Sequence, residues 1–243
     1  VFFDDSPLER EEMKNFNPQI NVIDVPQGPE NFIQSIEKTS FFFKNEQTVE
    51  DIKKRHQYEI LKKARNLKTK FRNINDFYKG LKMTLEISNI NKHNFERSVQ
   101  LINKTNQFNL TSRRYTESKL EVFLKSKSQF TFVGRLKDKF GDHGITALAM
   151  IKKNKNTWII DNFLLSCRIL GRKVENVFLY EILKKLRFNK ISSLQGTYIK
   201  TNKNSQCKNF YIDNNFKKIK NNYFITLKNI KKLNERYIKI KYE

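Results

Sequence analysis

The stretch Ile159-Ile160-Asp161-Asn162-Phe163-Leu164-Leu165-Ser166-Cys167-Arg168-Ile169-Leu170-Gly171-Arg172-Lys173-Val174-Glu175-Asn176-Val177-Phe178-Leu179 decides the fold. It reads as a buried strand ending at Cys167, a tight basic turn with one glycine, and an amphipathic helix. A helix start preceded by Gly171 and flanked by Arg168, Arg172 and Lys173 suits a phosphate or pyrophosphate, because the first N–H groups of a helix lack partners within it. The same helix start stabilises the thiolate of a cysteine set beside it. Two readings of Cys167 stand together: a nucleophile, and a small buried residue at a strand end.

Working outward, the alternation of apolar and polar residues predicts strands over Phe130 to Leu136 and Ile145 to Ile151. They form a hairpin across a turn with two glycines that holds His143. Thr157 to Leu165 is the next strand, and the helix after the basic turn runs to about Arg187. Upstream lie a strand beginning near Met83 and helices over Asn94 to Thr105 and Thr116 to Leu124, the second capped by Thr116. Downstream come a strand over Ser192 to Ile199, a short helix over Ser205 to Asn214 and a strand over Tyr223 to Leu227. The order is strand, helix, helix, three strands, helix, strand, helix, strand, an α/β pattern with a mixed sheet.

The first 81 residues read differently. Val1-Phe2-Phe3 is a short strand ending in Asp4-Asp5, and Ser6-Pro7 opens a helix with Ser6 as N-cap. Ile20 to Val25 reads as another strand. From Glu30 to about Leu81 the pattern is helical, with a start at Thr48 and Asp51 in the capping-box position.

The chain has 243 residues, 48 Lys and Arg against 25 Asp and Glu, and a formal net charge of +23. Such a charge suits a polyanionic partner, but Lys and Asn are abundant everywhere, loops included, so compositional drift explains it as well. Two Cys and three His without metal-like spacing argue against a disulfide framework or a zinc site, and a reducing cytoplasm fits. No apolar run is long enough for a membrane span. The first residue, Val1, sits inside a strand-like run, so the chain reads as a piece of a longer protein.

The element order is that of the GNAT-like acyltransferases, and three motifs carry a closer resemblance. Arg168-x-x-Gly171-Arg172-Lys173 resembles that fold's Gln/Arg-x-x-Gly-x-Gly/Ala turn, which grips the pyrophosphate or pantetheine arm of an acyl carrier. It departs at Lys173, where a small residue is usual, and this counts against full coenzyme A binding. The segment from Asn204 through Cys207 to Tyr211, closing on Asn215-Phe216, resembles the fold's Asn-x-x-Ala-x-x-Phe-Tyr…Gly-Phe element. Thr105-Asn106-Gln107-Phe108-Asn109-Leu110-Thr111-Ser112-Arg113-Arg114-Tyr115, Phe140-Gly141-Asp142-His143-Gly144 and the run from Phe163 to Arg172 are similar to motifs of the FkbH-like proteins. In that family an N-terminal phosphatase domain of the HAD superfamily, subfamily IIIC, is fused to a GNAT-like domain.

The resemblance implies a division into a remnant of the HAD-like Rossmannoid domain over 1–40, a helical linker over 41–81 and a GNAT-like acyltransferase domain over 82–243. It implies an acyl or glyceryl transferase that takes an acyl unit from a phosphorylated three-carbon acid or related donor onto an enzyme thiol. The unit then passes to the phosphopantetheine thiol of an acyl carrier protein. Asp4 and Asp5 would help hold magnesium (Mg2+), with phosphatase activity only in a protein that has the missing upstream motifs.

Within this picture Cys167 is the nucleophile, as a thiolate beside a cation and a helix start. His143 serves as general base or as a solvated turn residue. Asp161 orients a base or makes a structural hydrogen bond. Asn106, Gln107, Asn109, Thr111, Arg113 and Arg114 form a substrate pocket or cap an interhelical joint. Arg168, Gly171, Arg172 and Lys173, with Asn204 and Tyr211, bind the pantetheine arm, and Cys207 and Trp158 are core. Two other classes remain: a basic nucleic-acid-binding module, against which the absence of any such motif counts, and a non-catalytic domain that docks the carrier protein.

Overall fold

The structure is a computed structural model and describes residues 1–26, 28–37, 39, 73–231, 233 and 237–243. The chain divides into two compact units, Val1–His56 and Gln57–Glu243. The expected linker helix and its start at Thr48 and Asp51 lie outside the described residues.

In the first unit helix α1 (Pro7–Phe16) starts as expected: the Ser6 hydroxyl accepts from the Glu9 N–H and Pro7 takes the first position. The two expected strands reduce to a single parallel bridge between Phe2 and Val22. The expected continuous helix begins as a 3-10 turn, Pro29–Asn31, followed by α2 (Phe32–Glu37).

The second unit is a mixed α/β fold whose sheet is flanked by helices on both faces. Its elements are α3 (Ile74–Gly80), β1 (Met83–Ser88), α4 (Phe95–Lys104), β2 (Phe108–Asn109), α5 (Glu117–Lys125), β3 (Gln129–Asp138), β4 (Gly141–Asn154) and β5 (Thr157–Leu165). Then follow α6 (Val174–Phe188), β6 (Ser193–Thr197), α7 (Phe210–Asp213), β7 (Lys217–Ile219), β8 (Asn222–Thr226) and β9 (Ile238–Tyr242). The sheet runs β7-β8-β6-β5-β4-β3-β1-β9. Only β5/β6 and β1/β9 are parallel, and the other pairings along this path are antiparallel. The core of this unit begins before Met83, because Phe77 and Tyr78 of α3 are buried in it.

Strict alternation along β4 explains the two layers. Ala147, Ala149 and Ile151 face α6, while Leu148 and Met150 face α4 and α5. The face under α6 is small where the helix comes close: a Cβ on Gly134 would stand 3.1 Å from the Ala147 Cβ and 3.4 Å from Phe178. The opposite layer buries Leu101, Ile102 and Leu120 against Val133, Leu148, Met150 and Leu164.

One feature of the sheet sets the site. The parallel strands β5 and β6 pair only at Ile159↔Gln195 and then diverge. Diverging strands leave unpaired N–H and C=O groups along their inner edges. The chain itself fills this gap. β2 pairs with β5 at Phe108↔Leu165 and Asn109↔Leu164, the Leu110 N–H donates to the Phe163 carbonyl at 3.1 Å, and the Ile199 N–H donates to the Leu110 carbonyl at 2.8 Å. Phe108 packs on Phe163 and Phe210, and Leu110 is fully buried.

Candidate active site

β5 ends at Leu165, and the Ser166 N–H still donates to the Thr146 carbonyl at 2.7 Å, so the ladder holds up to the thiol. Cys167–Ile169 forms a 3-10 turn whose Ile169 is buried. Gly171 has φ of +75° and its carbonyl accepts from the Tyr78 hydroxyl at 2.9 Å, which ties the turn to α3. Lys173 has φ of +62°, so the place where the GNAT-type pattern carries a small residue does require the left-handed conformation. Lys173, the N-cap of α6, makes no side-chain capping hydrogen bond.

The structure does not bring Arg168, Arg172 and Lys173 together on one phosphate, which corrects the expectation from the turn's sequence. Arg172 is buried and its guanidinium donates to the Asp138 carboxylate. Arg168 is half-buried, with Nε donating to the Ser166 hydroxyl at 3.1 Å and a terminal nitrogen donating to the His143 carbonyl at 3.4 Å. Lys173 alone stays exposed.

His143 is also placed differently from a turn base. Its ring is buried and its Nε2 lies 2.8 Å from Asp138 Oδ2 and 3.2 Å from the Arg172 guanidinium. Only a protonated Nε2 can donate to the carboxylate, so the Arg172 approach to that nitrogen is a contact and not a second hydrogen bond. Burial pushes the Asp138 carboxyl up, but the hydrogen bond from His143 and the charges of His143 and Arg172 outweigh it and hold the group below the usual carboxylate range. The three residues clamp the β3–β4 hairpin to the turn after Cys167, and among the described residues His143 is not one of those lining the cavity at the thiol.

That cavity has a volume of about 740 Å³. Arg97, Gln100, Leu101 and Lys104 of α4, the loop Thr105, Asn106 and Gln107, Ser166 and Cys167 at the end of β5, and Asn202 and Lys203 line it. Cys167 is exposed to it, and Cys207 is buried. Three of the lining side chains are cations and none is acidic. Burial lowers the pKa of Arg97. Arg168 is lowered first by burial and then by the Arg97 charge. Arg97 was not singled out from the sequence. A helix-spaced polar stripe, Arg97, Gln100 and Lys104, beside the buried Ser98, Leu101 and Ile102 was the available signal.

The amide-rich loop divides between groove and brace. Asn106 and Gln107 line the cavity. Arg114 donates to Asn106 and to the Ile102 and Thr105 carbonyls, which satisfies the open C-terminal end of α4. Asn109 is buried, taking the Ser112 N–H at 2.8 Å and donating to the Thr105 carbonyl. Thr111 donates to the Asp161 carbonyl at 2.9 Å. Asp161 is fully buried beneath Arg113, Tyr115 and Lys152, so it holds the loop, and no histidine reaches it among the described residues. Burial and the Asp161 hydrogen bond push the Tyr115 phenol up strongly. Asn204 is fully buried and braces the filled gap, donating to the Asn109 and Ile199 carbonyls at 2.8 and 2.9 Å. Tyr211 is buried between Phe216 and Tyr223, away from solvent. Asn215 has φ of +66° where the late GNAT motif has Gly.

Asp4 and Asp5, expected to hold magnesium only together with upstream residues, do not form a complete ligand set by themselves among the described residues. Asp4 takes the Ser6 N–H at 2.9 Å, and among the described residues no three His, Cys, Asp or Glu side chains come together. Two carboxylates alone fall short of the six oxygen ligands such an ion prefers. No described helix is long and apolar enough to cross a membrane.

No family model matches the chain, and no curated protein matches it. Among solved structures the chain is similar to an acetyltransferase of the GNAT family from Staphylococcus aureus, at 14% identity and a TM-score of 0.46 over 60% of this chain and 100% of that one. It is similar to spermidine N-acetyltransferase from Vibrio cholerae in complex with CoA and spermine, at 9% identity and a TM-score of 0.46 over 59% and 96%. A third is PaiA N-acetyltransferase from Thermoplasma acidophilum in complex with coenzyme A, at 15% identity and a TM-score of 0.40 over 58% and 96%. Coenzyme A does not fit this chain as an arm laid along the inner edge of β5, because Phe108 to Leu110 already pair there.

Proposed function

We propose that this chain is the transfer half of an acyltransferase that works through a thioester on Cys167. The observation that carries the reading is the exposed Cys167 thiol in a cavity of about 740 Å³ lined by Arg97, Lys104 and Lys203 and by no carboxylate. The thiolate is the form of a cysteine that attacks. The donor is an acyl phosphate of a small acid, in keeping with the glyceryl unit that the FkbH-like resemblance implies. The Cys167 thiol gives its proton to solvent and the sulfur attacks the acyl carbon. A C–S bond forms, the bond from that carbon to the phosphate oxygen breaks, and phosphate leaves with the electron pair. A deprotonated acceptor thiol then attacks the same carbon and returns Cys167 as thiolate. The acceptor in this reading is the phosphopantetheine thiol of an acyl carrier protein. The phosphatase step and its magnesium belong to residues outside this chain.

Intact-protein mass spectrometry after incubation with candidate acyl phosphates tests the reading. An adduct of the acyl mass is expected on the wild type and on Cys207→Ser, and none on Cys167→Ser. An adduct of equal yield on Cys167→Ser refutes it.

One observation favours a second reading. Tyr198 and Tyr223 line a cavity of about 310 Å³ with Lys200, Lys208 and Lys218, and Lys218 stands 5.9 Å from the Tyr223 ring centre. Cations interleaved with aromatic rings suit single-stranded nucleic acid. Salt-dependent retention of a labelled oligonucleotide, lost on Tyr198→Ala, would support it.

A further inference from the structure

We propose that Arg97, backed by Arg168, is the residue that makes the Cys167 groove select a donor whose acyl unit carries its own negative charge, a carboxylate or a phosphate ester. This substrate assignment rests on the transfer reading above. The anion preference itself does not.

Three other guanidiniums carry a countercharge, while Arg114 turns its donors to Asn106 and the carbonyls at the end of α4. Arg172, Arg113 and Arg135 are each paired with a carboxylate, Asp138, Asp161 and Asp142. Among the described residues Arg97 reaches only neutral acceptors, Gln100 Oε1 at 3.3 Å and the Ile145 carbonyl at 3.5 Å. Arg168 likewise reaches only the Ser166 hydroxyl and the His143 carbonyl. Two half-buried like charges side by side, with no carboxylate on either among the described residues, disfavour the folded state. A bound anion supplies the missing countercharge, and a planar guanidinium offers it paired donors.

A second, independent feature lies on β4 next to the Ile145 carbonyl that Arg97 reaches. Thr146 is skipped where the β3–β4 register passes from Gly134↔Ala147 to Arg135↔Ile145, and its carbonyl accepts from the N–H of Ser166, which lines the groove. The Thr146 hydroxyl is fully buried and has no hydrogen-bond partner among the described residues. Buried hydroxyls are ordinarily satisfied, and this one stands open at a bulge whose backbone meets Ser166 of the groove and, through the Ile145 carbonyl, Arg97. Lys104 and Lys203 extend the positive lining toward the mouth.

The test uses the full chain and two alkylating reagents of nearly equal size, iodoacetate and iodoacetamide. Both consume the same thiolate, so the thiolate fraction cancels in the ratio of their rates at Cys167. Cys207 is buried, and peptide mass spectrometry assigns the modified thiol. Relative to N-acetylcysteine amide, a free neutral thiol, the iodoacetate-to-iodoacetamide ratio at low salt is expected to be at least about fivefold higher, and to fall with added salt. Arg97→Gln is expected to remove most of that excess, Arg97→Lys to keep part of it, and Lys185→Gln, an equal charge change on exposed α6 surface, to leave it unchanged. A wild-type ratio equal to that of the free thiol, or an equal fall in Arg97→Gln and Lys185→Gln, overturns the proposal. Should Arg97→Gln fail to fold, Arg168→Gln and the wild-type salt dependence still decide it. An intact anion preference without any acyl adduct refutes the transfer reading and leaves the anion site standing.

Discussion

Asp138→Asn removes one charge from the clamp that holds the turn after Cys167. The Asp138 side chain is fully buried, and its partner Arg172 is only 6% exposed. Without the carboxylate charge, the Arg172 guanidinium remains in the interior with an amide and an imidazole as neighbours. Stranding one member of a buried ion pair costs about 3–5 kcal/mol. The neighbouring pair Arg135–Asp142 gives the scale for an exposed case, with side chains 49% and 35% exposed, and Asp142→Asn is expected to cost no more than about 1 kcal/mol. The assay is urea unfolding followed by tryptophan fluorescence. Trp158, the only Trp, lies in β5 against Phe130, so the signal reports the second unit alone. At a slope of about 2 kcal/mol per molar urea, the midpoint falls by about 1.5–2.5 M. Adding Arg172→Met, which removes the stranded cation, is expected to return about 2 kcal/mol of the loss. The pH dependence follows the same pair. Asp138 is depressed in the folded state, so the unfolded chain binds more protons on acidification. Its contribution is complete above the ordinary carboxylate range and is lost as pH falls through the folded value, and Asp138→Asn flattens that acid limb. A loss below about 1 kcal/mol, or a double variant no more stable than Asp138→Asn, refutes the clamp.

The two thiols are expected to differ sharply toward a disulfide reagent: Cys167 is exposed and reacts in the folded protein, while Cys207 is buried, donates to the Gln107 carbonyl at 3.4 Å and is pushed up to about 12 by burial, so it reacts only on unfolding. Two thiols titrating at one rate in native buffer would contradict this. Gly196→Ala sets a Cβ 2.4 Å from the ring of the fully buried Tyr211, and a loss of more than about 3 kcal/mol is expected in the same urea assay. Gly171→Ala meets no atom within 4 Å and suffers only its φ of +75°, a loss of about 1–2 kcal/mol. Asp161→Asn leaves Arg113 and Lys152 without their shared carboxylate, and since both are partly exposed the expected loss is about 1–2 kcal/mol, with faster proteolysis of the loop from Ser112 to Tyr115 as the second readout.

The long elements were legible because their pattern is local. Thr157–Leu165 comes out at its predicted bounds, the Thr116 hydroxyl caps α5 as expected, and the helix expected from Asn94 begins one residue later, at Phe95. The hairpin strands extend further than expected, since β4 runs on through Gly141 to Ile145. β2 is two residues long and has no period to read. β9 was legible in principle, for Ile238-Lys239-Ile240-Lys241-Tyr242 alternates strictly, but its partner β1 lies more than 150 residues upstream. Its lysines, like Lys217 and Lys218 on β7, sit on the sheet edges, where charge discourages pairing with another chain. The site was legible at Cys167 and not in its cations. Arg168 and Arg172 are adjacent to it in sequence, yet a 3-10 turn and two positive φ angles send one guanidinium to Asp138 and the other to His143. The cation in the groove, Arg97, arrives by the packing of α4 on β4 and β5, which no local spacing encodes.

The filled gap decides how the thiol can be served. Opening the inner edge of β5 means removing Phe108 and Leu110 from the core, at roughly 1.5–3 kcal/mol each. It also breaks the Leu110 and Ile199 backbone bonds and the Asn204 brace, at about 1 kcal/mol each. The total of about 6–9 kcal/mol is comparable with the whole stability of an ordinary domain. A ligand arm that needed this edge would have to repay nearly all of it on binding. The groove under α4 asks for nothing of the kind, since Cys167 already faces it. Under the proposed transfer a small anionic donor would load the thiol while the sheet stays closed, and the acceptor thiol would approach through the same groove once the anion has left. In the proposed transfer donor and acceptor would therefore use the groove in turn, which predicts ping-pong kinetics.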